Sequence, residues 1–144
     1  MGEKDVERRL CQRFTIPGAT ISYRKEGLFS SKTRTEEEFC PVLDLSRGGI
    51  RFLTQKPLKF KSRVLLQLSV PGERVPLDLR GRVRWSTFNS GQSYKYQAGV
   101  QFNPYGLERG QNVPQTLTKI VALETKFVDP AHPVGSTEGG GPAA

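Results

Sequence analysis

Hydrophobic and polar residues alternate with a period of two along much of this chain. The clearest run is Leu77-Asp78-Leu79-Arg80-Gly81-Arg82-Val83-Arg84-Trp85. Leu77, Leu79, Val83 and Trp85 fall on one face, and Asp78, Arg80, Arg82 and Arg84 on the other. That alternation predicts an antiparallel strand with one buried and one solvated face, and it assigns Trp85 to the core. Shorter apolar runs occupy Phe14–Tyr23, Phe39–Leu45, Gly49–Leu53, Val64–Val70 and Tyr96–Phe102. Turn chemistry separates them, notably Gly48-Gly49, Pro71-Gly72 and Asn89-Ser90-Gly91. Pro17-Gly18 inside the first run predicts a kink or bulge. Residues 24–38, with three consecutive glutamates, read as a polar hairpin connection.

The period changes once. Between Pro114 and Phe127, the residues Leu117, Ile120, Val121 and Phe127 recur near helical spacing, and Pro114 suits a first helical turn. Short strands followed by one helix predict a mainly β domain over residues 13–127, a small six-stranded antiparallel β-barrel with a C-terminal α-helix. Residues 1–12 are mostly polar and charged and predict a flexible basic arm. Residues 128–144, rich in Gly, Pro, Ser, Thr and Ala, predict a disordered tail.

Composition narrows the function. The 144 residues suffice for one domain with a sizeable core. No apolar run approaches the ~18 residues that span a bilayer, and no signal-peptide pattern opens the chain. A cytoplasmic protein without membrane insertion is expected. A net charge of +8 favours an anionic partner. Cys11 and Cys40 form no CxxC pair, and the only histidine, His132, lies in the tail. Neither a disulfide framework nor a metal site is expected. The predicted barrel has no histidine, no Ser or Cys beside a general base and no P-loop, so no catalytic role is expected.

Two short motifs carry the remaining chemistry. Arg8-Arg9-Leu10-Cys11-Gln12-Arg13 sets three guanidiniums on one segment, and Asp44-Leu45-Ser46-Arg47-Gly48-Gly49 is a turn with a carboxylate, a hydroxyl and two glycines. Arginine pairs phosphate oxygens bidentately and can reach the O6 and N7 of guanine. A carboxylate accepts from guanine N–H donors, and glycine lets backbone approach a ligand. The Arg9/Arg13 spacing alone discriminates little, because Arg47/Arg51 and Arg80/Arg84 repeat it. The order and context of the two motifs give the signal.

These residues resemble the signature of the PilZ domain, a bacterial receptor for cyclic di-GMP: RxxxR, here Arg9 to Arg13, followed by [D/N]xSxxG, here Asp44, Ser46 and Gly49. The likeness runs over about residues 6 to 127, with no signature position missing, and implies the same barrel-plus-helix architecture. It implies that Arg9 and Arg13 clamp the ligand's phosphates and guanines, and that Asp44 accepts from guanine. Ser46 would then offer a hydroxyl while Gly49 permits the backbone turn. Arg8, immediately before RxxxR, occupies a place associated in the family with a stacked pair of ligand molecules. The implied protein is a receptor or adaptor without cofactor. Its ligand-dependent surface acts on a separate effector protein in motility, pili, exopolysaccharide or virulence. Two other readings compete: a basic small barrel binding RNA or single-stranded DNA through Arg80, Arg82 and Arg84, and a ligand-free protein-interaction module. The arginine face shows no interleaved aromatics, which makes nucleic acid the weaker reading.

Overall fold

The computed structural model describes residues 12–27 and 34–128. The alternating segments become six strands: β1 (Thr20–Lys25), β2 (Glu37–Leu45), β3 (Gly49–Thr54), β4 (Arg63–Ser69), β5 (Leu77–Phe88) and β6 (Tyr96–Phe102). Neighbours are antiparallel and close into a barrel in the order β1-β2-β3-β6-β5-β4. Closure satisfies every strand with two partners and removes free edges. Inward residues such as Ile21, Leu45, Ile50, Phe52, Leu68 and Val83 are fully buried, as period-two alternation requires. Phe52 lies against Tyr23 with ring centroids 5.8 Å apart.

The first strand is shorter than its apolar run. Pro17 and Gly18 form a turn, with Gly18 at φ +81°. The turn detaches Phe14, which instead bridges Leu45 on β2. The helix α1 (Pro114–Phe127) starts at its proline as expected, but its buried face is Thr116, Ile120 and Leu123. Leu117 and Val121, one position off that stripe, are half-buried. Ile120 and Leu123 join the barrel core, and Phe127 packs against it.

Glu37 fastens β1, β2 and the connection after β3. Its carboxylate accepts the Tyr23 hydroxyl at 2.5 Å and the backbone N–H groups of Gln55 and Lys56 at 2.8 and 3.2 Å. Burial and the bond to Glu37 raise the Tyr23 phenol well above its ordinary value. Burial, aided by the charge of Glu37, pushes the Cys40 thiol up to about 12.

Candidate functional site

The turn between β2 and β3 is built by its own side chains. Ser46 is buried; its Oγ accepts the N–H of Gly48 at 3.2 Å, while its backbone N–H donates to the Gly49 carbonyl at 2.8 Å. Gly49 needs no left-handed conformation. Its missing side chain serves packing instead, since a Cβ there would lie 2.6 Å from the Val100 carbonyl on β6. The signature glycine therefore lets β3 approach β6, a different task from the backbone turn the sequence suggests.

Two irregularities in register decide what faces outward. Between Val42 and Asp44 the β2–β3 ladder advances two residues against one, from Phe52 to Arg51. Val42 packs against the core, while Asp44 emerges beside Arg51 on the outer surface. Between Val83 and Trp85 the β5–β6 ladder slips in the same way, from Val100 to Gly99. Arg84 and Trp85 are then both outside the core, and the Trp85 side chain lies over Gly99, where a Cβ would come within 2.4 Å of the indole. Trp85 is 37% exposed, not a core residue. Strict alternation assigned it inward, and the bulge reverses it. The arginine face consequently does carry an aromatic neighbour.

The result is one row across four strands: Asp44 on β2, Arg51 on β3, Gly99 on β6 and Trp85 on β5. Arg13 joins it from the N-terminal segment. Phe14, buried, exchanges two backbone hydrogen bonds of 2.9 Å with Leu45, which lays that segment along β2. Arg13 Nη1 then donates to Asp44 Oδ1 at 2.8 Å. Arg51 Nε donates to Oδ1 and Oδ2 of the same carboxylate at 3.0 and 3.1 Å, and its Nη2 also donates to Oδ2. Burial alone would raise the Asp44 carboxyl. The bond and charge of Arg51, then those of Arg13, outweigh it and hold the carboxyl below its usual value.

Arg47, inside the turn, points elsewhere. Its Nε donates to Glu124 of α1 at 2.9 Å, and its carbonyl accepts the Tyr105 hydroxyl at 2.6 Å. The turn is thereby tied to the helix.

Of the residues singled out in the sequence, Arg13, Asp44, Ser46 and Gly49 come together at this turn. Arg8 and Arg9 lie outside the described residues. Sequence reasoning does not single out Arg51, and it weighs a base-stacking role for Trp85 but favours the core. Arg51 could have been found, because a tight turn at 46–48 sets residues 44 and 51 opposite each other. No periodic signal marks Trp85. Among the described residues, no cluster of His, Cys, Asp or Glu could hold a metal, and no helix is long and apolar enough to cross a membrane. A cavity of about 810 Å³ lies between β1, β4, β5 and the start of α1 and includes none of these residues. The candidate site is an open face of charged and aromatic groups, which suits a polar anionic ligand better than an apolar one.

Comparison with known proteins gives three findings. The model of the PilZ domain matches residues 7–117. Among solved structures, the Bacillus subtilis inhibitor of motility (MotI/DgrA) is similar at 14% identity with a TM-score of 0.47. The likeness covers 80% of this chain and 51% of that one, so the chain spans about half the length of that protein. No curated protein matches the sequence significantly.

Proposed function

Since this chain belongs to the PilZ domain family of cyclic di-GMP receptors, we propose that it binds cyclic di-GMP on the Asp44 face and does no chemistry on it. The observation that carries this reading is the convergence of the two motifs: Arg13 and Asp44, 31 positions apart, meet at 2.8 Å. Arg8, Arg9, Arg13 and Asp44 supply the binding groups, and Ser46 and Gly49 shape the turn beneath them. Arg51 and Trp85 extend the site along the row.

The binding step follows from the occupancy of the carboxylate. Asp44 already accepts from both guanidiniums, and a carboxylate has about four acceptor positions. Guanine N–H donors therefore compete with an arginine. Arg51 is fixed by the β3 ladder and grips Asp44 with two nitrogens. Arg13 holds through a single bond and its side chain is 48% exposed. Arg13 is the group that leaves, exchanging the carboxylate for a ligand phosphate, with Arg8 and Arg9 alongside. Trp85 offers its exposed indole to a base, a contact worth about 1–3 kcal/mol in single-strand binders. The exchange alters the outer surface near the N-terminal segment, and that change is the output offered to a separate effector in the cytoplasm. Motility, pili, exopolysaccharide and virulence are the classes of process this would serve.

Equilibrium dialysis with labelled cyclic di-GMP tests the specificity. Bound label should resist a hundredfold excess of GTP or GMP and fall sharply in Arg13→Ala. Displacement by either mononucleotide would sink the reading. One observation favours single-stranded nucleic acid instead, namely Trp85 beside the β5 arginines. Against it, Arg80 pairs with Glu26 at 3.4 Å and Arg84 donates to Gln101. Binding that weakens steeply with salt, and vanishes when Arg80, Arg82 and Arg84 are replaced, would support it.

A further inference from the structure

Charged strands often protect a free sheet edge, but a closed barrel has none, so edge protection does not explain the β4 and β5 arginines. Arg82 lies directly opposite Arg63 on β4, and both are exposed. Like charges set opposite each other destabilise a ladder. Among the described residues neither has an ion pair. Arg109, from the 103–112 loop, completes a groove of about 510 Å³ with them. The carboxylate in its wall, Glu26, is engaged by Arg80.

The loop that brings Arg109 is firmly held. Asn112, 4% exposed, donates to the carbonyls of Arg80 and Asn103 at 3.1 and 3.0 Å and accepts the Arg80 N–H at 2.7 Å. Asn103 donates to the Gly110 carbonyl at 2.7 Å. The groove is a formed feature of the fold, and its lining sets three guanidiniums, Arg63, Arg82 and Arg109, against the single carboxylate of Glu26.

We propose that this groove is a docking site for an acidic segment of a partner protein. Guanidinium forks match carboxylates bidentately, so the charge of the groove selects a run of Asp and Glu. An exposed apolar side chain on the loop that supplies Arg109 favours protein over nucleic acid. Leu107, on the same loop as Arg109, is 90% exposed, whereas Phe102 in the groove is buried and offers no ring for a base. Arginine beside an exposed apolar side chain is a usual composition for a protein interface. The groove also reaches the candidate ligand face. Gln101 lines it, accepts from Arg84, and pairs across the sheet with Gly49 of the signature turn. A segment seated there ends beside that turn, although its binding does not depend on the cyclic di-GMP reading.

The test uses the full chain and a fluorescein-labelled peptide of ten glutamates with a central leucine, followed by anisotropy. Arg63→Gln/Arg82→Gln should weaken binding at least ~10-fold, because truncating one side of close charge pairs is costly. Arg74→Gln/Lys95→Gln, which removes the same charge from the two exposed connections before and after β5, outside the groove, should stay within about twofold. Leu107→Ala, which leaves charge unchanged, should weaken the peptide ~3-fold or more. Equal losses in both charge pairs, no binding by the wild type, or tighter binding of a labelled deoxythymidine decamer would each overturn the proposal. Cyclic di-GMP titrated into the same variants reads the ligand face separately, so failure of one does not mask the other.

Discussion

Asp44 holds two guanidiniums at once, and its titration behaviour follows from that grip. A carboxyl held below its usual value stabilises the fold fully above the ordinary carboxylate value near 3.9. That contribution is lost as pH falls through the lower folded value. Both guanidiniums are more than a third exposed, so solvent screening limits the effect to about 1 kcal/mol. Urea unfolding of the wild type and Asp44→Asn should therefore differ by a constant amount from pH 8 to pH 5. The gap should close only below about pH 4. A gap that varies between pH 5 and 8 would mean another group governs the site.

Gly99 makes a second prediction at the same scale. A Cβ there would stand 2.4 Å from the Trp85 indole, so Gly99→Ala must push the ring off the sheet. Trp85 is the only tryptophan, so its emission reports the shift directly. We expect altered emission and weaker cyclic di-GMP binding, by about 1 kcal/mol or more if the ring carries a base. Unchanged affinity with shifted emission would remove Trp85 from the site. Neither this contact nor the packing role of Gly49 was legible in the sequence. The role of Gly49 depends on the non-consecutive pairing of β3 with β6, and the Gly99 contact on the bulge that shifts the β5–β6 register.

Elements were more legible than residues, and their failures have a common cause. β4 lies close to its apolar run because period-two alternation persists through it, and β6 matches its run although Ala98, Gly99 and Val100 are buried in succession. The errors sit where the period breaks: at Pro17-Gly18, and at the bulges before Asp44 and Trp85. An inserted residue flips every following side chain, which periodicity cannot anticipate. Two of those bulges border the candidate site and turn Asp44 and Trp85 outward. β2 offers a further check through Cys40, which is buried with its thiol pushed up to about 12. With Cys11→Ser to leave a single thiol, Cys40 should resist iodoacetamide at pH 8 in the native protein and react once unfolded in urea. Rapid native alkylation would show that the β1–β2 contact opens readily.

At the scale of the whole molecule, the barrel and helix were readable because burial imposes its period on β1, β4 and the first part of β5, and helical spacing on α1. The closed strand order was not stated by any local pattern; the family resemblance supplied the architecture. The site is a joint product of both levels. Motif residues are local, but their meeting requires Phe14 to dock on Leu45 and β3 to sit beside β6. The Arg47–Glu124 pair extends this outward by tying the signature turn to α1.

The most direct measurement is isothermal titration of cyclic di-GMP into the wild type, Arg13→Ala and Asp44→Ala. We expect saturable heat in the wild type and a loss of at least ~10-fold in affinity in each variant, because each removes a charge-assisted contact. Absence of heat at high ligand, or wild-type affinity in both variants, would contradict a cyclic di-GMP site built on the meeting of Arg13 and Asp44.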